Sequence, residues 1–395
     1  VSGPLQGVRV IDLTSVAMGP YATQIMGDMG ADVVKIESKD GDVFRHVAPA
    51  RHAGMGAPFL NLNRNKRSVV LDLKSPADAA RLRDLVRHAD VFVSNVRPKS
   101  MARLGLDDAT LRALNPRLVY CAAVGFSEKG RYAGRPAFDD IIQAMSGLAA
   151  VQAHPQTGHP AYVNTIVADK TAGLTVAYAV AMALYERERS GLGQAIEVPM
   201  FETLAAFTMV EHLAGHTFEP PEGPMGYERL LSSARRPYRT QDGFIALLPY
   251  TTAQWQRFFR LAGRPEVAED PRYMEPAQRS RNIHALYGML ADLVAQRSTA
   301  QWLALLADAD IPHSQVLSME GVMADPHLHE SGMVQQHAHP SEGALKMLGI
   351  PTGFSRTPGS IRAPAPGLGQ HRIDDIAREW CADAEAASTP AAPSC

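Results

Sequence analysis

The sequence predicts an α/β protein, with a large domain built on a parallel sheet and a smaller α+β domain after it. Three observations predict this. Short β-rich runs alternate with helical runs from Val8 to about His216. Such alternation calls for a parallel sheet covered on both faces. A stretch rich in Pro, Gly and Glu, Phe218–Gly226, then interrupts the pattern and reads as a linker. Beyond it, Asp242-Gly243 lies between β-capable runs, which is a hairpin signal. The length agrees, because 395 residues exceed one simple core.

Val8–Leu13, bounded by Gly7, is the first strand. Small residues follow, and a helix opens at Tyr21 with Pro20 near its first turn. That entry can turn backbone N–H groups towards a ligand. The helix ends at Gly27 to Gly30, and Ala31–Glu37 is the second strand. Strand, helix and strand within about thirty residues make a βαβ unit. The Gly-x-Gly-x-x-Gly fingerprint is missing, so no dinucleotide is implied. Further strands fall at Ser68–Leu73, Asp90–Asn95 and Leu118–Val124, with helices at Pro76–His88, Leu106–Leu114 and Asp139–Ala149. Ser15, Asn95 and Gly125 come at carboxyl ends of strands, where ligands gather in such folds. A strand at Ile196–Val198 and a helix from Met200 to His216 precede the linker. After it come helices at Ala253–Ala262, Arg279–Ala295 and Thr299–Ala307, then extended segments at Met333–His337 and Gly343–Met347.

Composition excludes several classes. Net charge is −2, from 39 basic and 41 acidic residues, which gives no electrostatic case for nucleic acid. No run of 18 apolar residues is free of charge, and Val1–Gln6 lacks a basic segment followed by an apolar one. Neither a membrane span nor a secretory signal is expected. Cys121, Cys381 and Cys395 are scattered without metal-ligand spacing, which suits a reducing, cytoplasmic setting. His-Glu-x-x-His, P-loop and Gly-x-Ser-x-Gly motifs are absent, and no metal is expected.

The stretch Val163–Leu174 stands apart. An apolar run carries one carboxylate, Asp169, and the Ala-rich, Pro-free run Leu174–Leu184 follows as a buried helix. Asp169 therefore sits near a helix N-terminus at the edge of an apolar interior, where the helix dipole favours a carboxylate. On its own, an Asp before a helix reads most simply as a helix cap.

The motifs add up to more. The chain resembles the class III CoA-transferases, the CaiB/BaiF superfamily of formyl-CoA transferase, carnitine CoA-transferase and α-methylacyl-CoA racemase. The matching pieces are Pro4–Leu13, Gly19-Pro20, Gly30–Glu37, Asn63–Ser68, Leu71-Asp72, Gln143–Gly147, Ala168-Asp169 with Gly173, Gly191–Gln194 and Gly367–His371. Each is weak alone. Together they are specific, and they span nearly the whole chain in the family's order. The resemblance implies a large Rossmann-like domain made from both chain ends, a smaller inserted domain, and two subunits interlocked as a homodimer. Mapped on this chain, the large domain is 1–217 and 326–383, the linker 218–229, the small domain 230–325 and a flexible tail 384–395.

The resemblance places Asp169 as the nucleophile. Beside a bound thioester and away from water, a carboxylate can attack the carbonyl and expel CoA thiolate. A mixed anhydride, then an aspartyl-CoA thioester, then transfer of CoA to an acceptor acid is the implied path. Acyl-CoA and a small carboxylic acid are the partners, and neither ATP nor a metal is required. Implied CoA and substrate contacts are Ser15, Val16, Ala17 and Met18, then Lys39, Leu71 and Lys74, then Asn95, Val96, Arg97 and Arg103. For each basic residue a solvated surface charge is the plain alternative. Met200 is a pocket wall or core packing. Asp139 takes an acidic family position near the active site, or caps a helix. Racemases of the superfamily carry a His where this chain has Phe138, and a phenyl ring transfers no protons. A transferase is therefore expected over a racemase. Arg229, Arg235 and Arg236 are candidates to grip a second carboxylate, as in a dicarboxylate acceptor, against the reading of a solvated basic loop.

Overall fold

A computed structural model describes residues 3–154 and 157–388, with side chains to residue 382. Six parallel strands form the main sheet: β1 Arg9–Leu13, β2 Asp32–Glu37, β3 Lys66–Val70, β4 Val91–Ser94, β5 Val119–Val124 and β6 Ala195–Pro199. Their order is β3-β2-β1-β4-β5-β6. Chain direction across the sheet reverses between β1 and β4, where Leu13 pairs with Ser94. A crevice opens at such a switch point, beyond the carboxyl ends of the strands.

The strands alternate between two cores, as a sheet buried on both faces requires. Val10, Val33, Val91, Val93, Val119 and Cys121 face one side. There they meet α1 Met18–Asp28 and α8 Val167–Ser190 through Ala22, Met26, Ala172, Val176 and Val180. Ile11, Val34, Ile36, Phe92 and Tyr120 face the other side and pack under α3 Pro76–Val86, α4 Pro98–Leu104 and α5 Asp108–Leu114. The other helices here are α2 Ala57–Leu62, α6 Asp139–Met145, α7 Leu148–Val151 and α9 Met200–His212.

Three helices around the sheet's crevice depart from the sequence expectation. Helix α1 opens at Met18, not Tyr21, with Pro20 inside its first turn. Proline is tolerated there because first-turn N–H groups have no acceptor within the helix. Helix α4 is one the sequence did not predict, and it opens on Pro98 at its first position. Helix α8 starts at Val167, before Asp169. By length and composition α8 would suffice to cross a membrane. Its buried face instead packs on the sheet core.

Chain contacts divide the molecule into two compact units: residues up to His154 with His159–Thr208 and those from His329 onward, and then Met209–Leu328. The chain passes from one to the other within α9, so the Pro-rich stretch 218–229 lies inside the second unit. That unit holds α10 Glu228–Leu231, a three-stranded antiparallel sheet of β7 Tyr238–Arg239, β8 Phe244–Leu247 and β9 His313–Gln315, and helices α11 Thr252–Leu261, α12 Pro265–Ala268, α13 Pro271–Met274, α14 Pro276–Arg281, α15 Ile283–Val294, α16 Thr299–Leu306 and α17 Met319–Met323. Trp255, Phe258, Phe259, Tyr287 and Trp302 fill its core. The expected helix Arg279–Ala295 is broken at Asn282 into α14 and α15. After α18 Pro326–Glu330, the hairpin β10 Val334–His339 and β11 Gly343–Leu348 forms, and α19 Ile373–Ser388 lays Ile373, Ile376 and Trp380 into the first unit's core. The expected tail 384–395 begins inside α19, and residues 389–395 lie outside the described ones.

Candidate active site

Asp169 is the third residue of α8. The helix is preceded by Ile166, which has no side-chain oxygen for the free N–H groups of the first turn. Asp139 supplies that acceptor. Its Oδ1 accepts from Ala168 N–H at 2.7 Å and from Asp169 N–H at 3.0 Å. Gln143, one turn along α6, donates Nε2 to Asp139 Oδ2 at 2.6 Å and accepts from Val163 N–H at 2.9 Å. So Asp139 caps α8 from a neighbouring helix, and Asp169 itself is not the cap.

The far side of Asp169 meets the start of α1. Met18 N–H donates to Asp169 Oδ1 at 3.2 Å. Gly173 permits this close helix contact, because a Cβ there would lie 2.7 Å from Met18 O. Asp169 is 8% exposed. Burial raises its pKa, the Asp139 charge raises it further, and the Met18 N–H offsets only part, leaving it at about 6. Among the described residues no cation pairs with it.

A cleft of about 670 Å³ opens over Asp169. Its walls are the β1–α1 loop (Ser15, Val16, Met18), the segment after β4 (Asn95, Val96, Arg97), the end of β5 (Val124, Gly125, Phe126), the segment before α6 (Arg135, Phe138) and Met200. A recess of about 480 Å³ shares Arg97, Pro98, Ser100, Glu128 and Gly134 with it and adds Lys99 and Arg103.

The β1–α1 loop is held in an unusual shape. Val16 has φ +70°, a region a β-branched residue seldom visits. Asn95 clamps Ser15 on both sides, accepting from its N–H at 3.1 Å and donating to its carbonyl at 2.8 Å. Asp42 Oδ1 accepts from Val16 N–H at 3.1 Å. Asp42 is in turn paired with Lys35 at 2.9 Å, and Lys35 Nζ donates to Thr14 O at 2.7 Å. Lys66 Nζ donates to Asp12 Oδ2 at 3.0 Å and to Pro20 O at 2.9 Å. All four charged side chains are buried. A loop held against strain by its surroundings is typical of functional sites.

Comparison with known proteins gives the family. The family model CoA-transferase family III matches residues 5–372. The chain belongs to CoA-transferase family III. A succinate–glutarate CoA-transferase of Agrobacterium fabrum is 31% identical to this transferase over 381 residues, 95% of each chain. A succinyl-CoA:glutarate CoA-transferase of Mus musculus is 30% identical over 372 residues, 93% of this chain and 84% of its own. A crystal structure of a CaiB/BaiF family protein from Brucella suis superimposes with a TM-score of 0.81 at 29% identity, covering 96% of this chain and all of that one. The enzyme is thus a class III CoA-transferase.

In this transferase the cleft brings together Ser15, Val16, Met18, Asn95, Val96, Arg97, Phe138, Asp169 and Met200. Other expected contacts lie elsewhere. Ala17 faces the interior at the start of α1. Leu71 is core, packed with Ile36, Val69 and Leu82, because β3 ends before it and turns it inward. Lys39 and Lys74 are exposed and line neither the cleft nor its recess. Arg103 lines the recess, and Asp139 acts behind the cleft through α8. Arg229 belongs to the second unit, while Arg235 and Arg236 are exposed there. Sequence reasoning placed Gly125 at a strand end where ligands gather, but missed the segment 126–137 that continues the wall from it. It also missed Asp42, for which no local motif speaks. Among the described residues no group of three His, Cys, Asp or Glu could hold a metal ion.

Proposed function

We propose that this transferase moves CoA from succinyl-CoA to glutarate or a similar dicarboxylate, with Asp169 as the nucleophile. The observation that carries the mechanism is a buried carboxylate without a cation, facing the cleft at the sheet's switch point. The substrate reading rests on the names of the two relatives.

The steps balance without a further reagent. An Asp169 oxygen attacks the thioester carbonyl, the C–S bond breaks, and the mixed succinyl–aspartyl anhydride and CoA thiolate result. The thiolate attacks the Asp169 carbonyl, giving the aspartyl-CoA thioester and free succinate. Glutarate attacks that thioester and releases the thiolate again, which takes the glutaryl group from the second anhydride and restores Asp169. Each step moves one acyl group between oxygen and sulfur, so the CoA substrate is the one cofactor this path draws on. The N–H of Met18, which now donates to Asp169, is positioned to donate to the carbonyl oxygen of the acylated residue. Arg97, Lys99 and Arg103, along the recess, suit the CoA phosphates.

No histidine lines the cleft among the described residues, and Phe138 stands 67% exposed at its wall. A racemase would need a second proton-transferring group across the α-carbon. An interlocked homodimer has support in α8, where Leu174, Tyr178, Met182 and Tyr185 form an exposed apolar stripe at helical spacing. Cys121 is a buried free thiol, which favours a reducing, cytoplasmic setting.

The test is mass spectrometry after incubation with succinyl-CoA and trapping by hydroxylamine or borohydride. An adduct on the peptide holding Asp169, absent from Asp169→Ala, is expected. No adduct, with solvent deuterium entering the α-position of a branched acyl-CoA, would turn the reading to a racemase.

A further inference from the structure

One buried ion pair grips the β1–α1 loop. Lys35 Nζ donates to Thr14 O at 2.7 Å, and Asp42 Oδ1 accepts from Val16 N–H at 3.1 Å. The two charges meet at 2.9 Å, and neither side chain touches solvent. The pair therefore holds the loop on both sides of Ser15. The same Asp42 oxygen accepts from Phe44 N–H at 3.0 Å and caps the 3-10 turn Val43–His46. Val43, like Val16, lines the cleft over Asp169. One carboxylate thus sets two parts of the cleft wall against each other.

Stability alone is a poor reason for such a pair. Burying two charges costs much of what their attraction returns, and apolar residues of similar volume often serve as well. An apolar pair could not hold a backbone N–H in place. Val16 has φ +70°, where a β-branched residue is strained. Released, it would relax to negative φ and turn the peptides that follow. Two residues on, Met18 N–H donates to Asp169 Oδ1 at 3.2 Å. The direction of that N–H depends on the backbone angles at Val16 and Ala17. Asn95 fixes Ser15, before the strained residue, and Asp42 is the group that takes the N–H of Val16 itself.

We propose that Asp42 is a positioning residue for CoA transfer. Through the Val16 N–H it keeps residue 16 in the left-handed region, and so keeps the Met18 N–H aimed at the carbonyl that Asp169 becomes when acylated. This role rests on the reading of Asp169 as nucleophile, and it adds that the donor at Met18 is held in place from β2 and the segment after it. The charge matters as well as the oxygen, because a hydrogen bond to an ionised acceptor is roughly twice as strong as one to a neutral acceptor.

The experiment is a double-mutant cycle of Asp42→Ala and Val16→Gly in the full chain. Glycine takes a left-handed φ without steric cost, so it needs no clamp. Amide hydrogen exchange resolved to residues 16 and 18 is read on the free enzyme, and kcat and KM are read with succinyl-CoA and glutarate. Asp42→Ala is expected to speed exchange at Val16 and Met18 by about tenfold or more beyond any change in the sheet. It should lower kcat by about 10²-fold with KM nearly unchanged. With glycine at residue 16, the same substitution should cost about fivefold less in kcat. Destabilisation by an unpaired Lys35 is the same in both backgrounds, so a merely structural role gives no such difference. Asp42→Asn keeps an oxygen for the Val16 N–H and should restore most of kcat; should Asp42→Ala not fold, Asp42→Asn takes its place in the cycle. Unchanged exchange at Val16 and Met18, or a kcat loss as large with glycine at residue 16 as with valine, overturns the proposal. An adduct still trapped on Asp169 of the parent would show that the nucleophile reading survives that failure. Should glutarate not be the acceptor, the exchange rates and their dependence on residue 16 still decide whether Asp42 holds the loop.

Discussion

Two sets of buried carboxylates flank the same β1–α1 loop, and they are treated in opposite ways. Asp12, Glu37 and Asp42 lie on the strand side, each facing a cation: Lys66, Arg45 and Lys35. Burial pushes the Asp12 pKa up, but Lys66 and Lys35 with the Thr14 and Thr23 hydroxyls pull it down to about 2. Burial pushes the Glu37 pKa up, but Arg45, Lys35 and the Ser68 hydroxyl together outweigh it and leave it low. Asp139 and Asp169 lie on the helix side, and backbone N–H groups and one amide are their donors. There burial and mutual repulsion win, and Asp169 rises to about 6. Compensated charge fixes the loop's shape. Uncompensated charge leaves a carboxylate that gains by becoming an ester or thioester, since acylation removes a buried charge.

The largest effect should come from removing the uncompensated group. Asp169→Ala is expected to lower kcat/KM with succinyl-CoA and glutarate by about 10³-fold or more, as for other covalent nucleophiles. The fold should survive, as urea unfolding can show. A variant retaining a tenth of the activity would make Asp169 a bystander and erase the contrast.

On the compensated side the damage should fall on stability. Lys66→Met leaves Asp12 buried with one cation fewer, and breaking such a pair costs about 3 kcal/mol. The urea midpoint should drop accordingly at pH 7. Sensitivity equal to that of a surface lysine would mean that Lys35 alone suffices.

The third expectation reverses the usual sign. The folded-state pKa of Asp169 lies above the ordinary value of 3.8. Its ionisation therefore opposes folding, and the loss of stability opens as pH rises from about 4 through about 6. Asp169→Asn removes the charge and keeps the shape, so it should be inactive yet more stable than the parent by about 2 kcal/mol at pH 8. At pH 4 the two should unfold together. Equal midpoints at both pH values would show that Asp169 carries no electrostatic cost.

The sheet was legible because strands buried on both faces leave unbroken β-rich runs, and helices between them carry their own period. Position alone marked Asp169 only as a helix cap, and the family resemblance singled it out as the candidate nucleophile. The resemblance also named much of the cleft wall, but the hydrogen bonds and ion pairs around Asp169 were not legible. Asp139 lies far from Asp169 in the chain, and its neighbours Phe138 and Asp140 give no sign that its oxygens serve another helix. Lys35 and Asp12 occupy strand positions where a charge reads as the solvent side of an alternating pattern, and only the third dimension pairs them. Leu71 and Ala17 illustrate the reverse: residues expected to touch ligand have side chains that the local turn directs into the interior.

The finest test separates the two carboxylates of the helix side. Asp139 raises the Asp169 pKa by its charge and caps α8 by its shape. Asp139→Asn keeps an oxygen for the Ala168 and Asp169 N–H groups but loses the charge. The acid limb of kcat/KM should then move below pH 6, with kcat at pH 8 falling by less than about tenfold. Asp139→Ala loses the cap as well and should cost about 1 kcal/mol of stability beyond that. A limb that stays in place in Asp139→Asn would mean that burial alone sets the Asp169 pKa. Asp139 would then matter only for where α8 begins.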